Sequence, residues 1–131
     1  MIVYDFDQMF EIVTLPELEV ALNRRHGIGI NSFWLGHVAG GFPAINIVVK
    51  GDLAHVHYFP KEGHPGFASQ AKLPVPRPDE TSAFFIRPKE KIWILNGEVI
   101  PFSEALKAAQ EFALSRTMPQ CLRWTSLVLG E

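Results

Sequence analysis

Two runs of alternating hydrophobic and polar residues flank Gly51-Asp52 in the middle of the chain. Side chains that alternate with a period of two are typical of strands, and a short Gly/Asp connection between such runs is typical of a hairpin. A glycine at the first turn position supplies the positive φ that a two-residue turn requires. The pattern therefore predicts a β-hairpin over Gly41–Phe59, with His55 and His57 on one face of its second strand.

Two helices are predicted, one near each end of the chain. The first begins after Thr14, which forms a capping box with Glu17 and is followed by Pro16, and Gly27 is placed to end it. The second is predicted to begin after Ser103 as its N-cap. Its apolar face is rich in alanine, and small side chains let a helix lie close to a sheet.

Further short runs of β-prone residues predict additional strands. These runs are Met1–Phe6, Phe10–Val13, Asn31–Val38, Thr81–Arg87, Lys91–Leu95 and Leu122–Leu127. Asn96-Gly97 predicts a two-residue turn from which Glu98–Ile100 returns as a strand. Pro60–Glu80 contains five prolines. It predicts an exposed excursion at a sheet edge, with only Gly66–Ser69 as a short strand.

The predicted element order is β-α-β-β-β-(β)-β-β-β-α-β. Consecutive strands joined by short connections favour an antiparallel meander, and helices near both ends can pack on such a sheet. We therefore expect an α+β fold with a single curved antiparallel β-sheet and two α-helices. A length of 131 residues predicts that residues 1–131 form one domain.

The charges are distributed unevenly along the chain. Of its 14 acidic residues, five precede Arg24, whereas none of the 12 lysines and arginines does. An acidic end can attract a basic partner, and the alternative is a solvated helix face with acids near its N-terminus. The net charge of −2 gives no reason to expect nucleic acid as a partner.

Cysteine usage and hydrophobicity bear on the location of the protein. Cys121 is the single cysteine, so no internal disulfide is possible, and a structural role for its thiol is favoured. We see no signal peptide, and no apolar run reaches the roughly 18–20 residues that span a bilayer. We therefore expect a cytoplasmic protein with no membrane partner.

Candidate chemistry is limited to two small clusters. His55-x-His57, with His37 on a neighbouring strand, is compatible with a metal site, but buried and hydrogen-bonded structural histidines are favoured. Asp5-x-Asp7 is compatible with acid–base work or Mg²⁺ binding, although a solvated edge is favoured. We find no nucleophile elbow, phosphate loop or GxGxxG motif. We therefore predict no enzyme activity, no cofactor and no metal site.

The chain resembles a known family in a set of short motifs, which follow in a fixed order from about Tyr4 to Leu127. The motifs are Asp5-Phe6-Asp7, Asn31-x-Phe33-x-Leu35, Gly41-Phe42-Pro43-x-Ile45-Asn46-Ile47, Val56-x-Tyr58, Gly66-Phe67-x-Ser69, an Ala-rich helix ending near Phe112, and Pro119 followed by Leu122-x-Trp124. In them the chain resembles the small bacterial immunity proteins, numbered one in their classification, that are encoded beside polymorphic toxins, including cytidine-deaminase toxins. Gln70 departs from the family pattern, in which glycine often follows the serine of the Gly-Phe-x-Ser segment.

The resemblance implies a non-catalytic protein that binds a cognate bacterial toxin, a deaminase or nuclease acting on nucleic acid, and occludes its active site. A one-to-one complex is expected. Toxins of this kind are commonly basic around the substrate cleft, so acidic contacts and a few aromatic anchors are expected. The toxin-binding residues that we predict are Asp5, Asp7, Glu11, Trp34, Glu62, Asp79 and Glu80. Trp93 is a second candidate anchor, although core packing is the favoured role for both tryptophans.

Two other functions stay open at this point. One is a non-catalytic interaction module whose partner is not a toxin. The other is a small metal-binding protein that uses the histidines of the central hairpin.

Overall fold

In the computed structural model, which describes residues 1–129, two helices and ten strands follow one another closely in the predicted order. The strands are β1 (Ile2–Tyr4), β2 (Met9–Glu11), β3 (Ile30–Gly36), β4 (Ala44–Lys50), β5 (Leu53–Phe59), β6 (Phe67–Gln70), β7 (Thr81–Arg87), β8 (Glu90–Leu95), β9 (Ile100–Pro101) and β10 (Arg123–Ser126). The helices are α1 (Leu15–Leu22) and α2 (Phe102–Ser115), and a 3-10 helix covers Asn96–Glu98.

The predicted hairpin is the centre of a large antiparallel sheet. The main path of this sheet runs β10-β6-β5-β4-β3-β1-β2, and β9 pairs with β5. β4 and β5 pair over their full length, from Ala44 opposite Phe59 to Lys50 opposite Leu53. Gly51 in their turn has a φ of +60°, as the turn chemistry predicts. The α+β fold with its antiparallel sheet is therefore confirmed.

Both helices cover one face of the sheet and form the core with it. Phe33, Ile47 and Phe112 have no exposed surface, and they belong to one cluster of buried residues that also includes Leu18 and Leu22 of α1. α2 lies close to the sheet because three of its residues in the core are alanines, at positions 105, 108 and 109. Methyl side chains leave little thickness between a helix backbone and a strand.

The β7–β8 hairpin packs against the opposite face of the sheet as a separate two-stranded sheet. Phe84 of β7 is fully buried, and the Lys50 ammonium lies 5.1 Å from the centre of its ring. Lys50 also donates a hydrogen bond of 2.8 Å to the Ala83 carbonyl. The expectation of a single sheet is wrong at this point, because β7 packs across β3 and β4 instead of pairing with a strand at an edge of the main sheet.

The helix ends differ in part from the predicted ones. The capping box is present, since the Thr14 hydroxyl accepts from the Glu17 amide and the Glu17 carboxylate accepts from the Thr14 amide. α1 ends at Leu22 with Asn23 as its C-cap, four residues before Gly27, and the Asn23 side chain donates to the Glu19 carbonyl. α2 begins at Phe102 directly after β9, so Ser103 is inside its first turn and is not the N-cap.

The prediction of a two-residue turn at Asn96-Gly97 is wrong. Gly97 does not have a positive φ, and its amide donates to the Pro78 carbonyl, while the Asn96 amide donates to the Glu80 carbonyl. These bonds tie the segment to the preceding proline-rich stretch, and the next strand, β9, pairs with β5 instead of β8.

None of the helices within residues 1–129 is long and apolar enough to cross a membrane.

The stretch Pro60–Glu80 is only partly the exposed excursion that its prolines predicted. Its short strand is present as β6, but β6 lies between β5 and β10, inside the sheet and not at its edge. Ser69 explains this position, since its hydroxyl accepts from the Val56 amide at 3.0 Å and donates to the Glu98 carbonyl at 2.9 Å. The Ser69 hydroxyl therefore ties β6 to β5 and to the 3-10 helix, while β10 pairs with the other edge of β6.

Candidate protein-binding surface

The β7–β8 hairpin leaves part of its face of the sheet uncovered, and we call this part the open face. The strand registers align Met9, Tyr4, Trp34, Asn46 and His57 in one row across β2, β1, β3, β4 and β5. All of these side chains except that of Met9 are half-buried, and Met9 is 52% exposed. A depression of about 420 Å³ lies where this row meets the tip of the β7–β8 hairpin.

Aromatic rings pack against one another on the open face. The Trp34 ring lies 5.3 Å from the Phe59 ring and meets the ring of Phe42 edge-on at 6.2 Å. The Phe59 ring stacks on His57 with centroids 3.9 Å apart. Rings that already support one another lose little conformational entropy when a partner covers them, and large aromatic side chains commonly dominate binding energies. The open face therefore suits protein binding.

Asp5 has no solvent-exposed side-chain surface, and its carboxylate holds the β1–β2 hairpin together. One oxygen accepts from the amides of Asp7 and Gln8 at 2.8 and 3.0 Å, and the other lies 3.0 Å from Nε of Arg24. Burial alone raises the pKa of Asp5, but these bonds, with one from Asn31, outweigh it and lower the pKa below its ordinary value. The geometry makes Asp5 a positioning residue behind the surface.

Asp7 and Glu11 are the acids that this hairpin presents to solvent. The Asp7 side chain is 57% exposed and has one carboxylate oxygen 3.2 Å from Nδ1 of His26. Glu11 is an exposed residue of β2, the last strand at this edge of the sheet, and its register partner is Ile2. Glu11 shares the side of the strand with Met9, so it borders the open face.

The structure does not bring the remaining predicted acids together with this group. Glu62 is exposed in the turn after β5, three residues beyond Phe59 of the open face. Asp79 and Glu80 are exposed immediately before β7, and Glu80 pairs with Arg77 at 3.6 Å. β7 reaches the open face with its other end, at Arg87. The predicted residues therefore divide into a cluster around β1–β2 and Trp34, the separate Glu62, and the pair before β7.

The sequence favours a core position for Trp93, and the structure shows this interpretation to be wrong. Its side chain is 63% exposed on the outer side of the β7–β8 hairpin, near Leu95, which is 42% exposed. The alternation of β8 carried the signal, since Ile92 and Ile94 share the inner side while Trp93 points the other way. Trp34 is half-buried, which suits both packing and binding.

The histidines do not gather into one site. His37 packs on Phe112 and donates to the Ala113 carbonyl of α2 at 3.2 Å, on the opposite side of the sheet from His55 and His57. His55 is buried 3.5 Å from the Glu98 carboxylate, and His57 donates to the Pro65 carbonyl at 2.7 Å. Within residues 1–129 no three His, Cys, Asp or Glu side chains are grouped to hold a metal ion.

Burial shifts the pKa of both Cys121 and His57. Burial raises the pKa of the Cys121 thiol, and the nearby Glu111 carboxylate raises it further, which disfavours a reactive thiolate. Burial lowers the pKa of His57 below its ordinary 6.5. The bond to Pro65 acts in the opposite direction without reversing the shift. Both residues therefore have the properties of structural groups.

Comparison with known proteins gives one informative similarity. No family model matches the chain. The chain is 29% identical over 130 residues to the double-stranded DNA deaminase immunity protein of Burkholderia cenocepacia (strain H111), and the match covers 94% of this chain and 97% of that protein. This similarity supports an immunity role. Membership of the family numbered one stays a prediction.

Proposed function

We propose that this chain is a cytoplasmic immunity protein that binds a cognate deaminase toxin one to one and occludes its active site. The observation that carries this proposal is the similarity to a deaminase immunity protein over nearly the whole length of both chains. A match of this extent includes β3, β4 and β5 at the centre of the open face. The role requires binding and no chemistry of its own.

The surface supports this role with two kinds of contact. Trp34 and Phe59 supply half-buried aromatic area, and Asp7 and Glu11 supply negative charge beside it. A protein that acts on DNA has a basic substrate cleft, so an acidic inhibitor is attracted toward that cleft. Charge accelerates the encounter, and desolvated aromatic anchors slow dissociation. The proposed contacts also include Asp79, Glu80 and Glu62 at the margins, with Asp5 holding the hairpin in place.

The decisive experiment uses the deaminase toxin that the proposal expects to be encoded beside this gene. Purified toxin is assayed for cytosine deamination on double-stranded DNA with increasing amounts of this chain. The molar mass of the complex is then measured by light scattering after size-exclusion chromatography. We expect activity to fall to zero at a one-to-one ratio and a stable complex to form. A toxin that keeps full activity beside an excess of folded protein would overturn the proposal.

A charge-reversal pair tests the docking surface. Asp7→Lys with Glu11→Lys replaces both exposed acids of the hairpin, and Asp52→Lys is a single-site control in the distant β4–β5 turn. We expect the double variant to slow association on the order of tenfold at low salt, with a smaller effect at high salt. If the double variant associates as fast as Asp52→Lys does, this surface is not the docking surface.

The two tryptophans form a second matched pair. Trp34→Ala removes the centre of the open face, and Trp93→Ala removes an exposed indole from the outer side of the β7–β8 hairpin. We expect Trp34→Ala to speed dissociation by on the order of a hundredfold and Trp93→Ala to leave it nearly unchanged. The reverse order would move the docking site to the β7–β8 hairpin.

A further inference from the structure

The outer edge of β2 is an unpaired strand edge. β2 exchanges backbone hydrogen bonds with β1 on one side, shown by the Met1–Ile12 pair at 2.8 and 2.9 Å and by the Asp5 amide on the Gln8 carbonyl at 2.9 Å. Bonds in an antiparallel ladder are made by alternate residues, so those of Met9 and Glu11 point away from β1. No strand within residues 1–129 pairs with that side.

Apolar side chains flank this edge although they are open to solvent. Met9 is 52% exposed, Val13 just beyond the strand is 87% exposed, and Val20 on the neighbouring helix α1 is 71% exposed. A groove of about 650 Å³ runs between β2 and α1, with Pro16 and Val20 in its lining. Unpaired backbone groups beside exposed apolar side chains form a template for an added strand.

The charge of the edge selects the occupant. Glu11 lies on the strand, and Glu17 of α1 lines the groove beside it. The nearest base, Arg24, is engaged, since its Nε bonds the Asp5 carboxylate and its guanidinium lies 5.2 Å from the Phe10 ring centre. An incoming strand therefore meets uncompensated negative charge. A second copy of this chain would bring like charges together at the same edge, which disfavours self-pairing.

We propose that β2 binds a basic, extended segment of the toxin as an additional strand of the sheet. The inference rests on the proposed function and specifies how docking occurs. Backbone bonds at Met9 and Glu11 fix the register, a Lys or Arg of the segment pairs with Glu11, and apolar residues of the segment cover Met9 and Val13. Alternate side chains on its other face enter the groove beside Val20.

Two substitutions of Glu11 separate the contribution of its backbone amide to binding from that of its charge. Glu11→Pro removes both the carboxylate and the outward amide, whereas Glu11→Thr removes the carboxylate and keeps the amide. Neither variant removes a bond to β1, because the Glu11 amide points away from it. In a titration with the cognate toxin of the proposed function, Glu11→Thr is expected to bind several-fold more weakly than wild type, and Glu11→Pro at least tenfold more weakly than Glu11→Thr. Equal affinities of the two variants would overturn strand addition.

Amide hydrogen exchange gives a reading that does not depend on a proline variant. The amides of Met9 and Glu11 are expected to exchange rapidly in the free protein and at least a hundredfold more slowly in the complex. An apolar pair tests the location: Val13→Ser is expected to weaken binding about tenfold, and Leu73→Ser, at another largely exposed position in the proline-rich stretch, is expected to leave it unchanged. Fast exchange of both edge amides in a stable complex would refute the inference.

The outcomes separate this inference from the proposed function. A complex that forms and inhibits the toxin while the edge amides stay unprotected rejects strand addition alone. Absence of any complex with the wild-type chain rejects the proposed function. A dimer of the free chain that Glu11→Pro dissociates would make a second copy the occupant and would also overturn the inference.

Discussion

Replacing Asp5 should reveal how much of the N-terminal hairpin depends on one buried carboxylate. Asp5→Ala removes an acceptor that serves two backbone amides, Arg24 and Asn31. Asp5→Asn keeps the acceptor for the two amides but places an amide group against the guanidinium. Asp7→Ala is the matched control, because the Asp7 side chain is 57% exposed and has His26 as its partner.

The contacts allow the size of the effect to be estimated. The two amides lie in an exposed turn and can bond water in the variant, so each bond contributes about 0.5–1 kcal/mol. The bond to Arg24 is charge-assisted but 36% exposed on the arginine side, which limits it to about 1 kcal/mol. Asn31 keeps its bond to the Arg24 carbonyl. We therefore expect Asp5→Ala to cost about 2–3 kcal/mol, Asp5→Asn about half of that, and Asp7→Ala less than about 0.5 kcal/mol.

Urea unfolding at several pH values measures these differences. The folded-state pKa of Asp5 lies below its ordinary 3.8, so the stabilisation is complete at neutral pH and is lost as the pH falls below 3.8 through the folded pKa. The gap between wild type and Asp5→Asn should narrow over the same range. A loss under 0.5 kcal/mol for Asp5→Ala at pH 7, equal to that of Asp7→Ala, would refute the positioning role.

Three further predictions concern other parts of the fold. Thr14→Ala should cost about 1 kcal/mol in thermal or urea unfolding, because it removes the side-chain acceptor of the capping box, while Thr81→Ala at an exposed position should be nearly neutral. Gly66→Ala should lower the free energy of unfolding by about 2 kcal/mol or more, because its Cβ would lie 2.4 Å from the Tyr58 carbonyl oxygen at a φ of +86°. A Cβ at Gly40 meets open space, so Gly40→Ala should lower it by only about 1 kcal/mol, from the positive φ alone. Because the folded-state pKa of His57 is lowered, the unfolded chain binds the proton of this residue more readily than the folded chain does. The free energy of unfolding should therefore fall as the pH drops below about 6.5 and level off below the folded pKa. A His57→Gln variant whose free energy of unfolding depends on pH in the same way would contradict this.

Local patterns predicted the parts of this fold that depend on neighbours in sequence. The hairpin turn at Gly51 and the capping box of Thr14 and Glu17 both formed as expected. In each case the residues that determine the conformation lie within four positions of one another. The alternation of β5 also placed His55 and His57 on a common face, because a strand turns successive side chains to opposite sides whatever lies around it.

The candidate surface was predicted less well, because exposure depends on elements that are distant in sequence. Asp5 was expected to offer an acidic contact, but Arg24 and Asn31 come from other elements to enclose its carboxylate. Trp93 was expected in the core, but β7 and β8 leave the main sheet and turn their outer side to solvent. The prediction that Asp7, Glu11 and the other acids bind a toxin stays a prediction.

The sequence by itself determined the element types, the central hairpin and which side chains share a face, because periodicity and turn chemistry act over a few residues. The tertiary structure alone decided which face each layer covers. It placed the helices on the face of Ile47 and the β7–β8 hairpin on part of the face of Trp34. It also left the edge of β2 unpaired. Burial depends on contacts between distant segments, which a period of two or of 3.6 does not encode.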